Sequence, residues 1–347
     1  MTQSSAAEPR GIDRIIPEMA VYGSEFARNY ANHAPMVLVA LSNLGGSEQR
    51  LYEFFEFYRD YKQLLPFVPE VAPVDRSSWE SCIGHREREA DLRRFFASEV
   101  NRLGVKAALA TYLPRLAPGI AASAFHALMR MAYGLLRMDK SEIANALAYW
   151  TATYLKLPDS TGAAPITDDP AEVLARVTAI PALHGLPVQE LIWHNIRQFA
   201  AVPEFQPVVD WLEIKPDTTQ KMAAAALAVF AGSMGFCALH GVTGMHWMRI
   251  VMPYCPTPDV MLRYFWLGIA GALGEMGFPR IPSAEELDEW RQIKTPDWPE
   301  IKRAAIASND EHDLSLVFSA SEEEKVYPDP LYRLVAARRV NLLPFPA

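Results

Sequence analysis

Apolar residues recur at helical spacing along almost the whole chain, and the alternation typical of strands is hard to find. In residues 48–61, for example, Leu51, Phe54, Phe55 and Tyr58 form one stripe on a helix. The 27 prolines exceed the usual share of about 5% and cluster between such segments, where proline makes a rigid connector. The clusters lie at residues 66–73, 253–258, 279–282, 296–299 and 328–330. This pattern predicts an all-α fold with proline-rich connectors.

The 347 residues are enough for one large domain or two of ordinary size. We predict a single helical domain over residues 11–347, preceded by a flexible tail of residues 1–10. Residues 157–170 form the one stretch typical of a linker or long mid-chain loop. Two packed helical halves joined there are the alternative.

Charge and composition argue against nucleic acid as a partner. Half of the chain is hydrophobic and 21% is charged, which is typical of a globular protein. The formal net charge is −8, and the densest arginine cluster, residues 86–94, is interleaved with Glu87, Glu89 and Asp91. Such a surface does not neutralise a phosphate backbone.

Cysteine usage and the apolar segments favour a cytoplasmic protein. Cys82, Cys237 and Cys255 are odd in number and far apart, which predicts a reducing compartment. The N-terminus lacks the apolar core of a signal peptide. Residues 222–239 carry no charge and are just long enough to span a bilayer, but they are mostly alanine. We therefore predict a buried core helix there and no membrane partner.

Several common catalytic motifs are absent from the sequence. There is no Gly-x-Gly-x-x-Gly after a strand, no phosphate-binding loop, no Gly-x-Ser-x-Gly elbow and no His-Glu-x-x-His. These absences disfavour a Rossmann cofactor domain, a P-loop NTPase and an α/β hydrolase.

The histidines are the best candidates for chemistry, and the first lies in residues 119–138. Almost every position of this predicted helix is apolar, except for one arc of the surface. That arc holds Ser123, His126, Arg130, Tyr133 and Arg137. The stripe either lines a wet cavity, with His126 as a ligand or base, or faces solvent. A positive Arg130 one turn away would favour the neutral, metal-binding form of His126.

His240 and His246 lie in and after the predicted core helix of residues 222–240. Six residues correspond to about 240° of helical rotation, so an unbroken helix cannot direct both rings inward. Gly241 and Gly244 would permit a bend that brings them together. The alternative is that both are ordinary core residues.

Two further histidines occupy predicted helix starts. His33 lies where a helix begins, and the helix dipole there disfavours the imidazolium form. His312 follows Asp310 and Glu311, which suit a first helical turn and would orient its ring. Each alone is also explained as a cap or solvated helix start. The remaining histidines are predicted to be surface, turn or core residues: His85, His184 and His194.

A set of short motifs, in order along the chain, resembles the questin oxidase-like family. The motifs are Asn32–Met36, Leu44–Gly46, Leu113–Gly119 leading into Ala124–Arg130, Ala146–Trp150, His240–His246, Asn309–His312 and Asp329–Arg333. The resemblance covers nearly the whole chain. It implies an all-helical oxidoreductase that opens or oxygenates the ring of an anthraquinone-type aromatic polyketide.

The resemblance also implies a non-haem iron site, with Fe(II) as cofactor, dioxygen as co-substrate and NADPH as a possible electron donor. The metal ligands it implies are His33, His126, His240, His246 and His312. Five histidines exceed what one iron with an open oxygen site needs, so at least one should act on a ligand rather than on the metal. The family pattern has a lysine three residues after the last histidine, where this chain has Ser315.

On this basis the predicted catalytic residues are His126, Arg130 and Tyr149, with Arg130 or Arg137 holding a phenolate oxygen. The predicted substrate-binding residues are Tyr133, Trp150, Met245 and Trp247, since a planar phenol favours aromatic and methionine walls. Two alternatives are a metal-dependent hydrolase or lyase in the same fold and a non-catalytic helical protein that binds an apolar ligand.

Overall fold

The computed structural model describes residues 11–66 and 68–345, so the predicted tail of residues 1–10 lies outside the described residues. The described part is a set of α-helices with one short antiparallel hairpin, which confirms the predicted all-α class. The helices are α1 (Gly11–Met19), α2 (Ala34–Leu44), α3 (Glu48–Lys62), α4 (Glu89–Leu103), α5 (Val105–Leu116), α6 (His126–Arg137), α7 (Lys140–Ala152), α8 (Pro170–Thr178), α9 (Ile192–Ala200), α10 (Thr218–Ser233), α11 (Phe236–Val251), α12 (Pro258–Gly271), α13 (Ala284–Arg291), α14 (Trp298–Ala307), α15 (Glu311–Val326) and α16 (Leu331–Arg339); the hairpin strands are β1 (Glu25–Phe26) and β2 (Tyr30–Ala31).

Proline and glycine mark several helix boundaries as the sequence predicts. Pro35 lies in the first turn of α2, where its missing N–H costs nothing. Gly45 ends the same helix with φ of 102°, and the N–H groups of Gly45 and Gly46 bond the carbonyls of Ser42 and Leu41. Prolines also lie in the first turns of α8, α12 and α14. The connectors thus set where helices begin.

The predicted helix of residues 222–240 is wrong in its end point. α10 stops at Ser233 because Met234 adopts a left-handed conformation (φ 46°), and α11 then starts at Phe236. α11 continues unbroken past Gly241 and Gly244, so the predicted bend is absent. A Cβ at Gly244 would lie 2.6 Å from the ring of Phe265, so this glycine allows α11 and α12 to approach closely. None of the described helices is long and apolar enough to cross a membrane.

Residues 157–169 are irregular, as predicted, but they are held against the rest of the chain. Asp210 accepts hydrogen bonds from the Ser160 hydroxyl and from the backbone and side chain of Thr161. Buried apolar side chains on both sides of this segment join one continuous core. The single-domain organisation stays a prediction.

Four helices position the site. α11 packs against α6 and α15, and α2 packs against α6 and α15 from the other side of the pair. α6 is buried over most of its length, as its nearly uniform apolar sequence requires. The N-terminal ends of all four helices approach the same cavity.

Candidate metal centre

Four of the five predicted histidines meet where these helices begin. His33 is the N-cap residue of α2, His126 opens α6, and His312 is the second residue of α15. His240 lies in the second turn of α11. Because the four residues come from distant parts of the chain, their meeting is a property of the bundle that no single segment shows.

The four rings form a continuous cluster. The Nε2 atoms of His33 and His126 are 2.7 Å apart. The ring centroids of His33 and His312 are 5.0 Å apart, those of His126 and His240 are 5.7 Å apart, and those of His240 and His312 are 6.0 Å apart. All four rings line one cavity.

Each ring is oriented by a hydrogen bond at Nδ1. The acceptors are the Ala31 carbonyl for His33 (2.9 Å), the Ser123 carbonyl for His126 (2.5 Å), the Phe236 carbonyl for His240 (3.2 Å) and the Asp310 carboxylate for His312 (3.1 Å). Carbonyl and carboxylate oxygens only accept, so each Nδ1 carries the proton and donates it. In a neutral ring this leaves Nε2 with a free lone pair, which is the arrangement of histidines that bind a metal.

The backbone before His126 forms an unusual turn that supplies the acceptor for its Nδ1. Ser123, Ala124 and Phe125 all adopt left-handed conformations, with φ of 45°, 56° and 68°. This turn places the Ser123 carbonyl against Nδ1 of His126. Left-handed backbone in residues other than glycine is strained, and such strain is held only where the surrounding packing enforces it.

The surroundings keep the imidazoles of His33, His126 and His240 neutral. Burial lowers the pKa of His33, His126 and His240 well below the ordinary histidine value, and the neighbouring imidazoles lower it further. The helix N-termini act in the same direction because their partial positive charge opposes an imidazolium ion. Neutral imidazole is the form that coordinates a transition metal.

Two carboxylates adjoin the cluster, and sequence reasoning did not assign them to the metal. One ligand atom from each of Asp310, Glu311 and His312 lies within 4.8 Å of the others. Glu311 is buried and its Oε1 lies 2.8 Å from Nζ of Lys62 on α3. Burial opposes ionisation of Asp310, but hydrogen bonds from His312 and the charge of Arg339 hold its pKa well below the usual value. The position of Glu311 next to His312 was the available signal.

The donor types present fit a metal ion, and among the described residues the three ligand atoms that all lie within 4.8 Å of one another belong to Asp310, Glu311 and His312. Two Nε2 lone pairs at 2.7 Å repel each other unless a cation or proton lies between them. A set of neutral imidazoles with neighbouring carboxylate oxygen suits iron and other first-row transition metals. Imidazole and carboxylate ligation therefore explains a cluster that would otherwise be unfavourable.

The cluster opens into a cavity of about 650 Å³. Its walls are mainly apolar and aromatic, which is typical of small-molecule sites. These wall residues include Phe26, Tyr30, Phe57, Tyr61, Leu191, Ile192, Trp193 and Phe236. Most come from the hairpin, the end of α3 and the start of α9, whose sequences showed no catalytic motif.

The structure separates His246 from the other four histidines. Its Nδ1 lies 3.0 Å from the Ser319 hydroxyl, and its ring packs against Phe318 at 5.3 Å between centroids. His246 does not line the cavity. The reason is the unbroken helix α11, which directs positions 240 and 246 to different sides.

The predicted arginines are held in ion pairs. Arg130 lies 3.0 Å from Glu142 and donates to the hydroxyl of Ser24, while Arg137 pairs with Asp13. Neither arginine lines the cavity, so the predicted contact with a phenolate oxygen is not what the geometry offers. Tyr149 lies behind the wall and donates to the hydroxyl of Ser123, which does line the cavity.

The predicted substrate-binding residues lie in the core. All four are almost fully buried and none lines the cavity: Tyr133, Trp150, Met245 and Trp247. The indole N–H of Trp150, for example, donates to the carbonyl of Gly119. On helices buried all around, the sequence pattern does not show which side faces a cavity.

Comparison with known proteins identifies the family to which the chain is similar. The family model described as questin oxidase-like matches residues 30–319, a range that includes all four clustered histidines. This match confirms the resemblance carried by the short motifs. No match was found among curated proteins.

Proposed function

The chain belongs to the questin oxidase-like family, and from that premise we propose that it is an iron-dependent oxygenase of a planar aromatic substrate. The family name indicates an oxidoreductase that acts on a small molecule. The observation that carries the finer proposal is the histidine cluster at the wall of an aromatic cavity. His33, His126, His240 and His312 would hold the metal, with Glu311 beside them.

Iron(II) bound there would supply the reaction with dioxygen that an aromatic substrate does not undergo unaided. The chain itself contributes orientation, because each imidazole is fixed by its Nδ1 acceptor. The helix N-termini and Lys62 add positive potential, which favours an ionised phenol near the cluster. The apolar walls exclude water from the reacting ring.

The shape and lining of the cavity support an anthraquinone-type substrate. A volume of about 650 Å³ lies in the range of about 300–1,000 Å³ that is usual for small-molecule sites. Phe236 packs against both His240 and His312, with ring centroids at 5.4 and 4.6 Å. A planar ring that stacks on Phe236 would therefore have an edge beside the histidines. NADPH as the electron donor is part of the same proposal and rests on the resemblance alone.

Ser315 does not weaken the proposed metal site. Its hydroxyl is buried, has no hydrogen-bond partner among the described residues and does not line the cavity. The four Nδ1 hydrogen bonds do not involve it. A lysine does reach the cavity, but it is Lys62 from α3, paired with Glu311.

Oxygen uptake tests the proposal. The protein is purified anaerobically, loaded with Fe(II) and mixed with 1,8-dihydroxyanthraquinone and a reductant in an oxygen-electrode cell. We expect substrate-dependent oxygen consumption that is lost in His126→Ala, with product mass increased by oxygen. Bound iron without oxygen uptake would favour the hydrolase or lyase alternative. A preparation that cannot be loaded with any transition metal would overturn the metal-dependent proposal altogether.

A further inference from the structure

The carboxyl groups of the cavity wall differ in whether they have an ion-pair or hydrogen-bond partner. Four acidic residues line the cavity: Glu190, Glu275, Asp310 and Glu311. Glu190 pairs with Arg28 and accepts from the hydroxyl of Tyr30, Glu311 pairs with Lys62, and Asp310 pairs with Arg339 and His312. Glu275 alone of the four has no ion pair or conventional hydrogen bond to any described residue, and its Oε2 is shielded and unpartnered.

A carboxyl group without a partner is costly in such surroundings. Burial raises the pKa of Glu275, and among the described residues the side chain that hydrogen-bonds it is the thiol of Cys237. That thiol is a weak donor whose own pKa is raised by burial and then by the Glu275 charge. A shielded carboxyl oxygen without a strong partner is unfavourable, so its retention calls for a ligand that supplies the missing bond.

The position of Glu275 relates it to the histidines. It lies just after α12, and its carboxyl adjoins Cys237 in the first turn of α11. Phe236, the neighbour of Cys237, packs against His240 and His312. A planar ring stacked on Phe236 would then have the histidine cluster at one edge and the carboxyl of Glu275 within the same cavity wall.

We propose that Glu275 is the specificity-determining residue that binds a phenolic hydroxyl of the aromatic substrate. The substrate O–H donates to the carboxyl of Glu275, which fixes the rotation of the ring system in its plane and selects hydroxylated rings over bare ones. This inference rests on the proposed function, because it assumes the same planar aromatic ligand. It adds the group that decides which hydroxylation pattern the cavity accepts.

Binding of two matched ligands to three proteins tests the assignment. The iron-free full chain is titrated with 2,6-dihydroxyanthraquinone, whose hydroxyls are free to donate, and with unsubstituted 9,10-anthraquinone, for wild type, Glu275→Leu and Glu275→Gln. We expect Glu275→Leu to weaken binding of the dihydroxy compound about tenfold, which corresponds to about 1.4 kcal/mol, and to change binding of anthraquinone less than about twofold. Glu275→Gln, whose amide oxygen still accepts, should give an intermediate loss.

The outcomes separate this inference from the proposed function. Equal effects of Glu275→Leu on both ligands, or no effect on either, would overturn the role of Glu275 while leaving the proposed substrate class intact. Wild type that binds neither compound would overturn the substrate class and this inference with it. Both variants should fold, because Glu275 has no strong partner to lose, and thermal unfolding checks that. Iron loading of both variants should equal that of wild type, since Glu275 is not among the proposed ligands.

Discussion

Two polar layers lie along the same three helices, and only one of them looks like a site. His126, His240 and His312 form the first layer at the starts of α6, α11 and α15. Seven residues further on, about 10 Å along each helix, come Tyr133, Trp247 and Ser319. The hydroxyls of Ser315 and Ser319 and the indole of Trp247 adjoin the Tyr133 phenol. Equal spacing at both layers shows that the three helices run in the same direction.

The layers differ in partners and in space. In the first layer every Nδ1 has an oxygen acceptor and every ring faces the cavity. In the second layer, Tyr133 Oη, Trp247 Nε1 and Ser315 Oγ are buried and adjoin one another, but none of them makes a well-formed hydrogen bond to a described residue. Burial raises the pKa of Tyr133 to about 12, so it is a neutral phenol. Both layers lie on the same faces of the three helices; residue type, fixed orientation and access to the cavity distinguish the candidate site.

Arg130 lies between the two layers and gives the largest expected effect. Glu142→Gln removes the charge that compensates the buried guanidinium, so we expect the free energy of unfolding to fall by about 3–5 kcal/mol. Urea unfolding measures this loss. The double variant Glu142→Gln with Arg130→Met should recover most of it, because no buried charge is left unpaired. A loss below about 1 kcal/mol together with loss of iron binding would place Arg130 in the site instead.

Iron affinity separates the two layers directly. His126→Ala should weaken Fe(II) binding by at least about a hundredfold, since loss of a residue that only orients a ligand already costs about 10–100-fold. His246→Ala, beside Ser319 of the second layer, should bind iron as wild type does. Anaerobic titration with Fe(II) measures both, with circular dichroism as the control for folding. Equal weakening by the two changes would contradict the separation of His246 from the cluster.

The next prediction concerns the contribution of His246 to the pH dependence of stability. Burial lowers the pKa of this residue to about 3, whereas the unfolded chain takes up the proton near pH 6.5. The folded state therefore binds fewer protons below pH 6.5, so stability falls as the pH drops through this window towards 3.

For His246 the loss between pH 6.5 and 5 is about 1.6 kcal/mol. Replacement by glutamine should remove that part of the slope. Urea unfolding of the metal-free wild type and of His246→Gln at the two pH values measures the difference, since the cluster histidines contribute equally to both proteins. Parallel pH profiles would show that His246 is protonated or exposed in the folded protein.

The smallest expected effects on stability come from replacing a tyrosine by phenylalanine, once beside the histidine cluster and once in the second layer. The Tyr58 hydroxyl accepts from the backbone N–H of His33 at 3.0 Å, so Tyr58→Phe leaves a buried donor unsatisfied and should cost about 1–3 kcal/mol. Tyr133→Phe removes a hydroxyl without a partner and should change stability by less than about 1 kcal/mol. Thermal and urea unfolding compare the two. If Tyr133→Phe cost as much stability as Tyr58→Phe, the Tyr133 hydroxyl would have to make a hydrogen bond in the folded protein, and this prediction would be wrong.

Much of the fold could be predicted from sequence because its signals are local. Pro35 and Gly45 mark the two ends of α2, and helical spacing predicts α3. The break between α10 and α11 could not be predicted in the same way. It depends on a left-handed Met234, and methionine does not favour that conformation. Gly244 suggested a bend, but its role is to admit the Phe265 ring from another helix.

The site was predictable only in part. His33, His126, His240 and His312 were selected by the family motifs, while helical rotation alone indicated that His240 and His246 would diverge on a straight helix. The cavity wall was missed because Tyr30 lies in a short hairpin, Trp193 at the start of α9 and Glu275 in the irregular segment after α12, and the positions of all three depend on tertiary packing. The aromatic residues predicted instead lie on helices that are buried on all sides.

The meeting of four helix starts also has a consequence for how the chain holds together. His33 and His126 are 93 residues apart in sequence, and His312 lies nearer the opposite end of the chain. A metal bound to them is a cross-link that closes very long loops, and the entropy lost by the unfolded chain grows with loop length. The free energy of metal binding would then add to the free energy of folding, because the unfolded chain has no preformed site. The same four side chains would then both hold the reaction centre and cross-link the chain against unfolding.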